Sequence, residues 1–162
     1  MRLVPHAAAS GAVGLGVWAA TGDAATVPVA LAAGVLPDLD HLLDYYNWYI
    51  RRDHRRLFLL LHGWEYLVAG IAVYVAYLSE PWLLAALLGY ATQIGGDQLF
   101  NHQRPFTYSL AARAALRFDR RRCSWSHPAR AYEAAVGALP FGRAAARRWF
   151  QSRLFGHTGR RS

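Results

Sequence analysis

The sequence predicts an all-α protein: an integral membrane helical bundle with about four spans, followed by a basic, partly amphipathic helical C-terminal region. Three observations predict it. Hydrophobic residues make up 54% of the 162 and charged residues only 17%, a balance that points to a membrane protein. Four apolar runs are separated by turn-forming residues. The arginines avoid the short turns between runs one and two and between runs three and four.

The first run is Val4–Ala20, interrupted only by His6 and Ser10 and closed by Thr21-Gly22-Asp23. It faintly resembles a signal peptide, but it leads into another apolar run with no clear cleavage site and is read as the first membrane helix. The second run is Ala24–Leu36, stopped by Pro37. The third is Leu57–Leu78, with His62 and Glu65 near its start and Glu80-Pro81 breaking it. The fourth is Trp82–Gly96, with Asp97 at its end. A helix crossing the hydrocarbon core needs roughly 20 residues, so two of these runs reach full length only by continuing into their polar ends. Buried helices of a compact soluble bundle are the competing reading.

Charge divides the chain in two. Residues 1–103, the membrane bundle, hold five arginines against eight acids, a balance of −3. Residues 104–162 hold 13 arginines against two acids, a balance of +11. This second part reads as an Arg-rich cytoplasmic or interfacial tail. Its stretch "FGRAAARRWFQSRLF" mixes Arg143, Arg147, Arg148 and Arg153 with Trp149, Phe150, Leu154 and Phe155, a pattern suited to anionic lipid headgroups or to a solvated helix packed on the bundle. No recognition motif accompanies the charge, so no specific nucleic-acid partner is expected. The single cysteine, Cys123, excludes an intramolecular disulfide framework.

The arginines also set an orientation. Arg2 precedes the first run, and Arg51, Arg52, Arg55 and Arg56 lie between the second and third. The positive-inside rule then makes both termini and the middle loop cytoplasmic, in a plasma (inner) membrane protein. In an up-down-up-down bundle, the start of an odd span and the end of an even span share one membrane face. His6, Asp38, Asp40, His41, His54, His62, Glu65, Asp97 and His102 therefore gather on the cytoplasmic side.

Aspartate and histidine together are common ligands of divalent metals, and ionisable groups in membrane segments are functional candidates. In "GVLPDLDHLLDYY", Asp40 and Asp44 are four apart and His41 and Asp44 three apart, so a helix starting after Pro37 sets them on one face. The competing reading is a charged helix start, with Asp38 as N-cap and the carboxylates favoured by the helix dipole. His62 and Glu65 in "LHGWEYL" are spaced as a ligand pair or as a hydrogen-bonded structural pair. Gln93 and Asp97 share a face, and Gly95 and Gly96 permit close approach. In "RRDHRR", His54 stands among four arginines, a setting for phosphate or a plain positive-inside loop.

An early histidine, "LPDLDH", an "HR" loop, "LHGWE" and a late "GxxxxxGGD" together resemble the YdjM-like inner-membrane metal-dependent hydrolases, a family related to zinc-dependent phospholipase C and the P1-type nucleases. The resemblance covers about residues 1–105. It implies a helical membrane protein with hydrolase activity on phosphoesters, and it marks His6, Asp38, Asp40, His41, His54, His62 and Asp97 as the metal site. The family commonly has a histidine four residues before the late aspartate, where this chain has Gln93.

The expectation is a hydrolase holding a divalent metal, zinc first with manganese or iron as alternatives, at the cytoplasmic interface. Glu65 or Asp44 would act as general base or further ligand, and Arg55 or Arg56 would hold the phosphate of a lipid-linked substrate. The alternative is a non-catalytic membrane protein in which the cluster is a structural metal site or an ion-pair network and the basic tail docks membrane lipid or a partner. A transmembrane proton or ion path ranks last, because the acids gather on one face only.

Overall fold

A computed structural model of the chain describes residues 3–101, 103–124, 133, 136, 137, 139 and 141–155. Arg2 and His102 lie outside the described residues. Those described form helices and connecting loops, with no strand among them; one isolated bridge joins Arg56 to Asp119.

Helices α1 (Leu3–Thr21) and α2 (Thr26–Val35) form a hairpin. Gly22 turns the chain at φ +77°, a left-handed conformation that costs a glycine nothing. The Thr26 hydroxyl then ties the second helix to the first, donating to the Asp23 carbonyl at 2.7 Å and the Gly14 carbonyl at 3.2 Å.

Pro37 does not stop the second run. It lies in the opening positions of a 3-10 turn, Leu36–Asp40, where a missing N–H is tolerated. The chain continues as α3 (His41–Tyr45) and a π turn (Tyr46–Ile50), so that Thr26–Ile50 is one rod of 25 residues. With α1 it is one of two helices among the described residues that are long and apolar enough to cross a membrane, where the sequence reading expected about four. Helix α4 (Trp64–Ala76) is apolar but has only 13 residues. Helix α5 (Pro81–Phe100) has the length, but Thr92, Gln93, Asp97 and Gln98 interrupt its apolar run.

The third run fails as a long helix for a local reason. Its first residues fold as a loop pinned by the preceding rod: Phe58 and Leu59 donate backbone N–H groups to the Asp44 carboxylate at 2.9 and 3.3 Å, and Leu61 donates to Asp40 at 2.7 Å. Leu57 and Leu59 are buried there, with Leu59 at φ +44°. Apolar residues in a pinned loop carry the same hydropathy as a helix, so periodicity could not separate the two.

Helices α1, α2 and α5 pack through stripes repeating every three or four residues. The buried positions are His6, Ser10, Gly14 and Val17 on α1, Thr26, Ala30 and Gly34 on α2, and Ala85, Gly89, Gln93 and Asp97 on α5. The contact is backbone-close. A Cβ on Gly34 would lie 1.7 Å from Ser10 Oγ, and one on Gly89 would lie 2.4 Å from the Ala30 carbonyl oxygen. The stripe changes character along its length: small residues meet near the Gly22 end, and ionisable residues meet at the other.

Residues beyond 103 share the bundle's core. Tyr108, Cys123 and Val136 are buried with Trp48, Tyr49, Leu57, Leu59 and Ile94. Helices α6 (Leu110–Ala115) and α7 (Arg120–Cys123) follow, and α8 (Arg143–Phe155) lies against the π turn, with Phe150 edge-on to Tyr49 at 4.6 Å between ring centres. The expected amphipathic segment is thus a helix whose Phe150 faces protein while Trp149 is exposed.

Candidate metal centre

Three chain segments converge at the ionisable end of the stripe. The 3-10 turn and the start of α3 bring Asp38, Asp40 and His41. The loop before α4 brings His62, and the last turns of α5 bring Gln93 and Asp97. Asp38, His41, His62 and Asp97 each offer a donor atom, and the four atoms lie within 4.8 Å of one another, a group able to hold a metal ion. His62 Nε2 is 3.5 Å from Asp38 Oδ1 and 3.4 Å from Asp97 Oδ2, and His41 Nε2 is 3.9 Å from Asp38 Oδ1. A tetrahedral ion with bonds of about 2.0–2.2 Å keeps neighbouring donors about 3.3–3.6 Å apart, so these separations fit a single ion with small adjustments. The donor set fits as well, two imidazoles and two carboxylates.

Around this group stands a supporting set. Asp40 was expected as a ligand; its Oδ2 instead meets His62 Nδ1 at 3.1 Å and accepts the Leu61 N–H. That contact turns Nε2 of His62 inward, the carboxylate–histidine arrangement that orients a metal-binding imidazole. His6, which topology alone had brought to this face, approaches Asp97 Oδ1 with Nε2 at 3.1 Å. Asn101 Nδ2 donates to the same oxygen at 2.8 Å, and Asp97 Oδ2 faces the centre. Without a cation, burial works against a charge on His62, but its hydrogen bonds with Asp38, Asp40 and Asp97 outweigh that and raise its pKa to about 11.

The loop bearing His62 is held from the far side by Arg113, a residue the sequence reading did not single out. Its guanidinium is fully buried and donates to the Leu59 and His62 carbonyls, both at 2.7 Å, and to the Thr107 carbonyl. Burial lowers the Arg113 pKa, opposed first by the nearby Asp40 and Glu65 carboxylates. One arginine among thirteen in a basic tail carries no local sign of this role.

The remaining expected residues lie elsewhere. Glu65 accepts from the Ser109 hydroxyl at 2.6 Å and from the backbone N–H groups of Leu110 and Ala111 at 2.9 and 3.0 Å, so it caps α6 instead of facing the cluster. His62 and Glu65 are three apart in sequence, but the helix begins between them. Asp44 is buried and spends both oxygens on the loop N–H groups of Phe58 and Leu59. His54 is not in the metal-ligating group; its carbonyl accepts from Arg120 Nε at 2.7 Å. Arg55 and Arg56 line a cavity of about 350 Å³ together with Arg117, Asp119 and Arg122, and that cavity contains none of the cluster's residues.

The cluster is closed on one side and open on the other. The His62 and Asp97 side chains are 0% and 2% exposed, while Asp38 and His41 are 21% and 33% exposed. Leu39 and Leu42, beside His41 in the chain, are exposed as well.

Comparison of the chain with protein-family models, with curated proteins and with solved structures gives no match.

Proposed function

We propose that the chain is a membrane-embedded, metal-dependent hydrolase of a phosphoester with an apolar tail, working at the cytoplasmic interface of the inner membrane. The observation that carries this reading is the one-sided opening of the cluster. A structural metal site is closed by its ligands, whereas a catalytic one keeps a position free. Here the exposed side is formed by Asp38 and His41, and the leucines beside them suit a substrate with a lipid portion. Apolar residues such as Leu15, Val68 and Val75 face outward while His6, Ser10, Gln93 and Asp97 are buried, a distribution that supports a bilayer as the surroundings.

In this reading Asp38, His41, His62 and Asp97 hold the ion. A divalent cation bound there supplies a lowered pKa for water and a polarised phosphoryl oxygen. The protein's part is positioning. Asp40 fixes the His62 tautomer, His6 and Asn101 aim Asp97, and Arg113 holds the loop that carries His62. Asp44 and Glu65 take no part as bases, because their oxygens are engaged by backbone N–H groups. Arg55 and Arg56 have no role at the reacting phosphorus; their cavity is separate.

The test is metal content by mass spectrometry on detergent-purified protein, beside hydrolysis of phosphodiesters with and without an acyl tail. Near-stoichiometric metal and a preference for the acylated substrate are expected, both lost in His62→Ala. The second reading, a non-catalytic ion-pair cluster, is favoured by Gln93, whose NH2 group already sits among the acids. Absence of metal from the wild type after reconstitution would establish that reading.

A further inference from the structure

Gln93 occupies the centre of the cluster. Its side chain is fully buried, and its Nε2 lies 2.6 Å from Asp38 Oδ1, 3.3 Å from His62 Nε2 and 3.4 Å from Asp97 Oδ2. Three of the four metal-ligating residues therefore converge on one amide nitrogen. The other end of the same amide, Oε1, is buried with no hydrogen-bond partner among the described residues. Burying an acceptor unsatisfied is costly, and proteins rarely do so without a reason.

The two facts have one explanation. An NH2 group carries partial positive charge and donates two hydrogen bonds, so it can neutralise converging carboxylates when no ion is present. A cation at the same centre reverses the preference. It repels the NH2 and attracts the amide oxygen, which lies on the same planar group and reaches the same point after a half-turn of the side chain's last torsion.

Resting on the metal-site reading above, we propose that Gln93 is itself a ligand: its carboxamide turns over when the cation binds, Oε1 entering the coordination shell and the NH2 leaving the centre. The donor set then becomes three oxygens, from Asp38, Gln93 and Asp97, and two imidazole nitrogens. An added oxygen and a fifth donor move the preference toward manganese relative to the four-donor set, because zinc prefers four donors and takes nitrogen or sulfur readily.

The test is equilibrium titration of the full-length, chelator-stripped protein in detergent, with Mn²⁺ followed by its electron paramagnetic resonance signal and Zn²⁺ by competition. Three variants are compared. Gln93→Met fills the space with no oxygen and should weaken Mn²⁺ binding by roughly tenfold or more, at least the scale set by losing an outer partner of a ligand. Gln93→His should move the preference toward Zn²⁺. Gln93→Glu supplies an oxygen donor with no NH2 to displace and should bind Mn²⁺ more tightly than the wild type. This last variant decides the matter if Gln93→Met fails to fold. Wild type that binds Mn²⁺ while Gln93→Met binds it equally well overturns the ligand role and leaves the metal site standing. Gln93→Glu binding no more tightly than the wild type overturns it too. Wild type that binds neither metal overturns the metal site and, with it, this role.

Discussion

The two ends of the α1–α2–α5 bundle are built on one spacing and solve opposite problems. Toward the Gly22 turn, the positions facing inward are Gly14, Val17, Thr26, Ala30 and Ala85, and stability there comes from backbones in close contact. Further along, toward the other end, the chain places His6, Asp40, Gln93 and Asp97, and stability there comes from hydrogen bonds among buried polar side chains, with Gln93 Oε1 left without a partner among the described residues. The difference teaches how a small bundle can host charge. The close-packed end fixes the helices relative to one another, so the donors at the other end meet without spending their own interaction energy on bringing the helices together.

The comparison can be broken at either end. The largest effect is expected at Asp97, which accepts from Asn101 and meets both His6 and His62. Asp97→Ala leaves buried polar and charged groups uncompensated and should cost about 3–5 kcal/mol in metal-free protein. Thermal unfolding in detergent checks it; a loss near zero would mean the polar end is not held by its pairing. At the packed end, Gly89→Ala drives a methyl group against the Ala30 carbonyl and should cost about 1–3 kcal/mol. A Gly89→Ala variant as stable as the wild type would show that the helices can separate freely, and metal content measured on it would say whether the site tolerates the shift. The smallest effect separates two residues that the sequence pairs. Glu65→Ala removes the cap of α6 and should cost about 1 kcal/mol, the usual scale of a lost helix cap. Metal content should stay at the wild-type level in Glu65→Ala and vanish in His62→Ala. Parallel loss in both would return Glu65 to the site.

The gathering of His6, Asp38, His41, His62 and Asp97 at one end was legible, because it follows from chain direction alone: odd helices begin where even ones finish. The helical class was legible from the apolar runs. The loop at residues 57–63 was not. Its residues are as apolar as a helix, and what unfolds the helix there is a set of carboxylate acceptors, Asp40 and Asp44, supplied from more than a dozen residues earlier. The division of labour among the acids was hidden for the same reason. Asp38, Asp40 and Asp44 look alike in sequence, and only their distant partners make the first a ligand candidate, the second a support for His62 and the third a clasp for a loop. Glu65 was misread because its partner, Ser109, is 44 residues away. Among the described residues two helices, not four, are long and apolar enough to cross a membrane, because Gln93 and Asp97 interrupt the apolar run of α5 and the loop pinned by Asp40 and Asp44 shortens α4.

Arg113 gives the molecule a timetable. Ribosomes release a chain from its N-terminus, and helices α1 to α5 emerge before the residue that clamps the His62 backbone. A half-made chain therefore has helices α1 to α5 and all four side chains of the candidate metal group while the segment carrying His62 still lacks its anchor. The four donors of the cluster therefore reach their final places late in biogenesis, only after the arginine has docked.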